Sequence, residues 1–231
     1  MTITRPLPII DPRTIPVVGV DSHLADVPAQ QLTPEALRQR FLRPPVWTPE
    51  HSIEKKFGDR LPARAAVLVP LVMRDELTLL LTERGVNLST HSGQISFPGG
   101  RTDESDRDAV HTALREADEE IGLLAGHVEV LGTLPVYVTG TAFIVTPVVA
   151  LIRPGFTLQP NPAEVADVFE VPLRYLMSPA NHHRHIFEFD GGVREWLSMP
   201  YTSDDPLMPK ERYIWGATAG MLRNLYRFLA A

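Results

Sequence analysis

Apolar residues recur at helical spacing in the segment between residues 105 and 122. At about 100° per residue they fall within one arc of a helix, and the other arcs are polar or charged. The apolar stripe consists of Val110, Ala113, Leu114, Ala117 and Ile121. We therefore predict an amphipathic helix from Ser105 to Gly122, in which the stripe packs on a core and the glycine ends the helix.

Strand-like runs, rich in apolar and β-branched residues, lie on both sides of this predicted helix. They cover residues 65–73, 76–82, 94–97, 128–138, 143–152, 165–171, 185–189, 193–197 and 213–215. The sequence Asp190-Gly191-Gly192 predicts a hairpin turn between two of these strands. Pro172 and Leu173 predict the start of a short helix, and residues 218–229 predict a closing helix with one apolar face.

The first quarter of the chain has a different character, because ten of the 22 prolines fall within residues 1–62. Proline lacks a backbone donor and disfavours regular sheet, so we expect an extended arm over residues 1–30 and a linker over residues 46–62. We accordingly predict two regions. Residues 1–60 form an extension with one short helix, and residues 61–231 form the main domain.

One helix is predicted within the extension. Thr33 is a suitable N-cap, Pro34 is suited to the first helical position, and the helix would end near Leu42. Over the whole chain, mixed strands surround one long helix and a second helix follows at the end. This order predicts an α+β sandwich, because it is too irregular for a doubly wound parallel sheet. A three-layer α/β domain is the alternative.

Composition narrows the class of protein further. The chain has 231 residues, of which 44% are hydrophobic, with a formal charge of −6 and no cysteine. The negative charge argues against broad electrostatic binding of nucleic acid. The lack of cysteine excludes disulfides and thiolate zinc sites. The sequence contains neither a membrane-spanning apolar run nor a signal-peptide pattern, so we expect a cytoplasmic protein that does not bind membranes.

Three carboxylates lie close together on the long predicted helix. With Glu116 taken as zero, Glu119 lies near about −60° and Glu120 near about +40° on the helical wheel. Like charges at this spacing destabilise a helix by a few tenths of a kcal/mol, whereas a hard divalent cation prefers several carboxylate oxygens. The cluster therefore indicates a metal site. An ordinary charged surface helix is the alternative.

A glycine pair and a charged run together resemble the signature of the Nudix hydrolase family. The pair is Gly99-Gly100, and the run is Arg-Glu-Ala-Asp-Glu-Glu-Ile-Gly-Leu over residues 115–123. The first half departs from the family pattern. The arginine follows the glycine pair by fifteen positions where fourteen is usual, and Arg107, beside Asp106, occupies the place of an early glutamate.

The longer spacing resembles one subgroup of the family, the coenzyme A diphosphatases. That subgroup has the upstream motifs Leu-Leu-Thr-x-Arg and Gly-Gln-x-x-Phe-Pro-Gly-Gly, which match residues 80–84 and 93–100. Two positions differ, since Gly85 replaces a serine or alanine and Ser89 replaces an arginine. The resemblance covers roughly residues 64–229 and implies a Nudix-like α/β/α sandwich with a mixed β-sheet.

The resemblance also implies chemistry: hydrolysis of a nucleoside diphosphate linkage with Mg²⁺ or Mn²⁺. It assigns Glu116, Glu119 and Glu120 as metal ligands, with Glu119 alternatively orienting water, and the carbonyl of Gly100 as a backbone ligand. The general base stays open. The candidates are Glu164, just before a predicted strand, Glu116 or Glu119 within the signature itself, or a further residue outside this set.

Further residues are expected at the substrate. We expect Arg84 to bind a phosphate and Arg115 to orient the glutamates, with an exposed surface arginine as the alternative for each. Gln94 either faces the pocket or satisfies backbone groups of the turn. Gly99 and Gly100 let the backbone approach the substrate and the ion closely.

Two aspartates and three histidines are further residues whose side chains could contact a metal ion. Asp103 and Asp106 are candidates for outer-sphere metal contacts, although Asp106 is better explained as a partner of the helix N-terminal dipole. His182, His183 and His185 lack a carboxylate at metal-site spacing, so we expect them in a solvated loop.

These observations predict a metal-dependent diphosphatase that splits coenzyme A or its thioesters into 3′,5′-ADP and 4′-phosphopantetheine species. Within the same reaction, the alternatives are NADH, nucleotide sugars, ADP-ribose and nucleoside triphosphates. A non-catalytic nucleotide sensor is an alternative of a different class, but such sensors usually lose one of the signature glutamates. The expected partner is a small nucleotide diphosphate, and the sequence leaves a homodimer open.

Overall fold

The structure, a computed structural model, describes residues 11–50, 53–54, 61–85, 93–189, 192–203 and 209–231. Within these ranges it contains four α-helices and twelve β-strands. The helices are α1 (Pro34–Leu42), α2 (Ala109–Ile121), α3 (Leu173–Leu176) and α4 (Gly216–Ala230). The strands are β1 (Val17–Val20), β2 (Ala63–Met73), β3 (Leu77–Arg84), β4 (Ile95–Ser96), β5 (Gly99–Arg101), β6 (Val128–Thr133), β7 (Tyr137–Val138), β8 (Phe143–Ile152), β9 (Val165–Pro172), β10 (His183–Phe189), β11 (Gly192–Thr202) and β12 (Glu211–Trp215).

Eight strands form one mixed sheet at the centre. Its main path runs β4–β3–β2–β8–β6, with β5 beside β2, β7 beside β8 and β9 beside β3. β2 and β8 run parallel over their whole length, and β3 and β5 pair antiparallel with opposite ends of β2. α2 packs on one face of the sheet and α4 on the other. The predicted α+β fold, an α/β/α sandwich with a mixed sheet, is therefore confirmed.

The predicted apolar faces of both long helices form the core. In α2, Ala113, Ala117 and Ile121 are fully buried, and Val110 and Leu114 pack at the border of the same cluster. Burial of each large aliphatic side chain contributes about 1.5–3 kcal/mol. The face predicted for the closing helix is buried at Met221, Leu222, Leu225 and Leu229.

No helix in the described ranges is long and apolar enough to span a membrane.

The long helix begins later than predicted, at Ala109 rather than near Ser105. The side chain of Asp108 caps it by accepting the backbone N–H of His111 at 2.8 Å. The end is as predicted, because Gly122 adopts the left-handed conformation with φ 68°. The predicted start was wrong because the segment before Asp108 forms a hydrogen-bonded loop, which helical periodicity does not reveal.

The shorter elements follow the sequence with one correction. The side chain of Thr33 caps α1 by accepting the N–H of Ala36 at 3.2 Å, as predicted. The hairpin of β10 and β11 is confirmed by their antiparallel register, although residues 190–191 of its turn lie outside the described residues. The single strand predicted over residues 128–138 is instead two strands, β6 and β7, interrupted before Tyr137.

The extension contributes a strand rather than a plain extended arm. β1 pairs with β10 at the edge of a second, four-stranded sheet in the order β1–β10–β11–β12. Val17–Val20 contains no proline, which explains why sheet forms there despite the proline content around it. Residues 1–10 lie outside the described residues, as do residues 51–52 and 55–60 of the linker predicted over residues 46–62. The division at residues 60 and 61 stays a prediction.

The histidines are not in a solvated loop, and that prediction was wrong. His182 is fully buried and His185 is 3% exposed, while His183 and His185 both belong to β10. Arg223 donates to Nδ1 of His182 at 2.9 Å, and Nε2 lies 2.8 Å from the carbonyl oxygen of Leu176. Burial lowers the pKa of His182 to about 4. The ring of His182 is therefore a neutral structural group, and His185 is buried because β10 lies inside the second sheet.

Candidate active site

The turn with the two glycines lies against the first part of β2. Gly99 is opposite Val67 and Gly100 is opposite Ala66 in the antiparallel pair of β2 and β5. A Cβ on Gly99, where φ is 152°, would collide with the backbone of Ala66. A Cβ on Gly100 would collide with the carboxylate of Glu116. Glycine at position 100 is therefore what allows Glu116 to lie directly against the backbone of the turn.

Glu120 is the most buried of the three signature glutamates, at 5% exposed. Its Oε2 accepts a hydrogen bond from the backbone N–H of Gly99 at 3.0 Å. Burial raises the pKa of Glu120 to about 7; the Gly99 N–H and Arg84 oppose this rise, and Glu116 and Glu164 add to it. A buried carboxylate near two others is stable in its charged form only when a cation compensates it.

Glu116 and Glu119 differ from each other in orientation. The side chain of Glu116 is 16% exposed and that of Glu119 is 58% exposed, and Arg115 contacts them at 3.0 and 2.9 Å. Burial raises the pKa of Glu116, and Arg115 counteracts this effect. In the described part of the chain, no group of three or more Asp, Glu, His or Cys side chains is arranged to hold a metal ion. The expected convergence is therefore seen for Glu116 and Glu120, whereas Glu119 points outwards.

Arg115 is fixed by Asp106, whose side chain is fully buried. Nε and Nη2 of Arg115 donate to the two oxygens of Asp106 at 3.0 and 2.9 Å. Asp106 also accepts the N–H of Asp103 and contacts Nδ1 of His111, both at 2.9 Å. The hydrogen bonds from Arg115 hold the pKa of Asp106 well below its usual range. Asp106 is thus not mainly a dipole partner: it anchors the arginine that contacts Glu116.

Glu164 lies beside the same carboxylates. The N–H of Asn161 donates to the carbonyl of Glu120 at 2.9 Å, and the N–H of Gly85 donates to the carbonyl of Glu164 at 2.8 Å. The side-chain amide of Asn161 donates to Oε1 of Glu164 at 3.3 Å. These contacts hold the segment from Asn161 to Glu164 against the end of α2. The charge of Glu164 raises the pKa of both Glu116 and Glu120.

The side chains of Arg84 and Gln94 lie near different groups. Arg84 is half-buried at the end of β3, and its charge lowers the pKa of Glu120. Its Nε is buried and makes no hydrogen bond to the described residues, so this donor suits a phosphate oxygen. Nε2 of Gln94 lies 3.9 Å from where a Cβ of Gly216 would be, at the start of α4. Ser89 lies outside the described residues.

The donor set fits a hard divalent cation. Glu116 and Glu120 offer carboxylate oxygens beside Gly100, and glycine leaves the carbonyl of that residue accessible at close range. The mutual repulsion of Glu116, Glu120 and Glu164 is relieved when a cation binds. Glu119 already has Arg115 as its partner and would reach an ion only by reorienting.

Two residues have roles that sequence reasoning missed. Asp106 was considered only for the helix dipole or an outer-sphere contact, although it stands next to the position where the signature usually has a glutamate. That neighbouring acid was the available signal. Asn161 was not considered, and its turn with Ala163, whose N–H it accepts at 3.1 Å, carries only a weak local signal.

Comparison with known proteins places these residues in a family. Residues 62–189 match the model of the NUDIX domain. The chain is 39% identical over 163 residues to a protein of Escherichia coli K12 described as uncharacterized Nudix hydrolase NudL, with 70% of this chain and 80% of that protein covered. The NudL protein of Shigella boydii serotype 18 matches with the same identity and coverage.

Solved structures share part of the fold. A binary complex of the Ap4A hydrolase of C. elegans is 21% identical, covers 51% of this chain and 85% of its own, and has a TM-score of 0.42. The NUDIX domain of Shewanella oneidensis NrtR, complexed with ADP ribose, is 24% identical, covers 50% of this chain and 75% of its own, and has a TM-score of 0.39. At these scores the ligands of those proteins carry no argument about this chain.

Proposed function

Because the chain belongs to the Nudix family, we propose that it hydrolyses the diphosphate linkage of a nucleotide. The observation that carries the proposal is the pair of buried carboxylates, Glu116 and Glu120, held against the Gly99-Gly100 turn. Burial of two like charges destabilises the protein and has no structural benefit of its own. An ion that binds there would offset this instability and place positive charge beside the diphosphate.

Each residue near the turn has a proposed role. Glu116, Glu120 and the carbonyl of Gly100 would hold Mg²⁺ or Mn²⁺, which polarises the phosphoryl oxygens when bound. Arg115 keeps Glu116 in position through its 3.0 Å contact. Arg84 directs a buried N–H towards a phosphate oxygen of the substrate.

We propose Glu164 as the general base. It lies within electrostatic reach of Glu116 and Glu120, and Asn161 fixes its orientation. A base must be near the attacking water and must be able to accept its proton. Glu119 is the weaker candidate because it is exposed and paired with Arg115. Glu116, which Arg115 also contacts, is better suited to hold the ion.

For the substrate we propose coenzyme A or its thioesters, with NADH, ADP-ribose and nucleotide sugars as rivals within the same reaction. The support is the pair of upstream motifs at residues 80–84 and 93–100, which resemble those of coenzyme A diphosphatases. The positions of the motifs also support this choice, because Arg84, which ends the first, and Gly99, near the end of the second, both lie close to Glu120.

The test is a panel of substrates with the purified full chain and Mg²⁺ or Mn²⁺. Coenzyme A, acetyl-CoA, dephospho-CoA, NADH and ADP-ribose are compared by kcat/KM, with Glu120→Gln as the inactive reference. We expect a preference for coenzyme A and its thioester, and at least about a hundredfold loss of kcat in Glu120→Gln because an ion ligand is removed. Equal turnover of all five compounds would reject coenzyme A as the substrate. A Glu120→Gln protein that keeps more than about a tenth of the activity would reject the ligand role.

A further inference from the structure

A cavity of 290 Å³ lies between β7, β11 and the first turns of α4. Its apolar lining includes Ile53, Val193 and Leu197, and α4 contributes the two glycines Gly216 and Gly220. Sites for small molecules usually span about 300–1,000 Å³. This cavity is therefore large enough for one portion of a nucleotide substrate but not for a whole dinucleotide.

The polar wall of the cavity is built around Tyr137. Its hydroxyl donates to Glu54 at 2.9 Å, and the other oxygen of Glu54 accepts the N–H of Gly140 at 2.9 Å. A Cβ on Gly220 would lie 2.6 Å from the same hydroxyl, so glycine is needed for Tyr137 to fit. Because Tyr137 donates its proton to Glu54, its oxygen can only accept a hydrogen bond from a molecule in the cavity.

The charges in this wall exclude some ligands. Among the lining residues that the structure describes, Glu54 and Glu195 oppose one cation, Arg194, so this described lining carries a net charge of −1. A phosphate group would meet this negative charge in a partly enclosed space, which is unfavourable. An uncharged chain with amide and hydroxyl groups instead finds acceptors in Tyr137 and Glu195, a donor in Arg194, and apolar walls for its methylene and methyl groups.

Most of the cavity comes from parts of the chain outside the matched family domain. The match covers residues 62–189, whereas Glu54, Val193, Arg194 and Gly216 fall before or after it. Tyr137 is the exception among the residues used above. The chemistry of diphosphate cleavage belongs to the family region, so an added cavity of this kind is suited to selecting the substrate.

The cavity and the glycine turn lie at the same end of the central sheet, on opposite faces. β7, β8, β2 and β5 are neighbours there, so Tyr137 and the turn are three strand spacings, about 14 Å, apart. Gln94, which leads along the chain into the turn, also faces Gly216 in the cavity wall. A substrate held by its diphosphate at the turn would therefore have to extend about 14 Å around this end of the sheet to place one end group in the cavity.

We propose that this cavity binds the uncharged, amide- and hydroxyl-bearing arm of the substrate, a chain of the pantetheine type, and not its adenosine part; as a substrate subsite, it rests on the proposed function. The combination of Tyr137, Glu195 and Arg194 with apolar walls matches the alternating polar and apolar groups of such an arm. This cavity then determines which diphosphates are cleaved, while the carboxylates at the glycine turn supply the groups for cleavage.

The test blocks the mouth of the cavity. Val193 is 47% exposed on β11, so Val193→Trp adds a bulky ring with little risk to folding. Val130→Trp on β6, where Val130 is 36% exposed and does not line the cavity, is the matched control. Binding of pantetheine and of adenosine 3′,5′-bisphosphate is measured by calorimetry without metal, and KM and kcat are then measured for coenzyme A and ADP-ribose.

We expect pantetheine to bind the natural and control proteins, and to bind Val193→Trp at least about tenfold more weakly. KM for coenzyme A should rise by a similar factor with kcat unchanged, while ADP-ribose and the bisphosphate are unaffected. Three results would overturn the assignment: no binding of pantetheine, equal binding in Val193→Trp, or an equal effect on the bisphosphate. Pantetheine binding that Val193→Trp abolishes, in a protein that splits neither coenzyme A nor ADP-ribose, would reject the proposed function and leave the cavity as a pantetheine site without a substrate role.

Discussion

At the scale of single residues, Glu120 shows how the site and stability oppose each other. The carboxyl is 5% exposed and lies near Glu116 and Glu164, and burial raises its pKa to about 7. In the unfolded chain a glutamate titrates near about 4.3. The folded protein therefore binds a proton that the unfolded chain has lost at every pH between these two values.

This difference makes a prediction about stability in the absence of metal. Between about pH 4.5 and 7 the folded state holds more protons than the unfolded state, so the free energy of unfolding falls as the pH rises. The full effect is about 4 kcal/mol, reached above the folded pKa of Glu120. We expect urea denaturation in a chelating buffer to show this loss between pH 5 and pH 8, and Glu120→Gln to remove most of it.

The exposed Glu188 provides the control, because Glu188→Gln changes a carboxylate of β10 that lies away from the turn. The free energy of unfolding of Glu188→Gln should depend on pH in the same way as that of the natural protein. An unchanged slope in Glu120→Gln would show that Glu120 titrates normally. Added Mg²⁺ should restore stability at pH 8 in the natural protein and leave Glu120→Gln unchanged.

At the scale of elements, the loop before α2 and the helix itself form one unit. Asp106 in the loop accepts two hydrogen bonds from Arg115 in the helix, and Arg115 contacts Glu116 and Glu119. The loop therefore sets the position of the carboxylates through the arginine. Asp106 makes this connection directly beside Arg107, the position at which the family signature has an early glutamate.

Substitution of Asp106→Asn tests this connection. Asparagine keeps the shape but loses the charge, so Arg115 is held less firmly and Glu116 loses its orientation. Groups that orient metal ligands typically change activity by about 10–100-fold. We expect kcat to fall within that range and the apparent affinity for Mg²⁺ to weaken, as measured by metal titration of the diphosphatase reaction.

Asp118→Asn is the matched control, because Asp118 is exposed on the same helix. It should leave both kcat and metal affinity close to those of the natural protein. Loss of activity in Asp106→Asn without any change in metal affinity would contradict a positioning role. It would indicate a general loss of structure, which circular dichroism of the same sample would detect.

At the scale of the whole molecule, the extension is part of the folded protein. Arg223 on α4 is 1% exposed and is held by Asp21 at 3.1 Å and by Glu50 at 2.7 Å. Arg184 on β10 contacts the same two carboxylates at 2.8 and 2.7 Å. Two acids of the extension thereby compensate two arginines of the main domain in a largely buried network.

The network predicts strong destabilisation by Asp21→Asn. Removal of one partner of a buried ion pair leaves an uncompensated charge, and this typically lowers stability by about 3–5 kcal/mol. Because Glu50 and His182 still contact Arg223, we expect a loss near the lower limit, about 3 kcal/mol. Urea denaturation of Asp21→Asn and of the exposed neighbour variant Asp26→Asn provides the measurement.

Asp26→Asn should stay within about 0.5 kcal/mol of the natural protein, as is usual for surface positions. Equal stability of the two variants would show that the extension does not contribute to the stability of the main domain. The same experiment bears on the predicted division of the chain, since a separable extension should not affect the unfolding of α4.

Sequence periodicity was most informative where one face of an element is buried. The apolar stripes of α2 and α4, the cap at Thr33 and the stop at Gly122 were all predicted, because burial and backbone conformation restrict the residues allowed there. The residue at which α2 begins and the burial of the histidines were predicted less well. The loop before Ala109 depends on a contact between Asp106 and Arg115 that helical periodicity does not show, and the burial of His182 involves Arg223, which is distant in sequence.

The sequence by itself determined the family region, the two long helices and the group of carboxylates, because these depend on local spacing. Only the tertiary structure decided that Glu116 and Glu120 face the glycine turn while Glu119 faces solvent, since helix rotation is set by packing on the sheet. It also decided that Asp106 anchors Arg115 and that the extension supplies charges to α4. The contacts of the extension join residues far apart along the chain, and that between Asp106 and Arg115 joins a loop to a helix, so helical periodicity specifies neither.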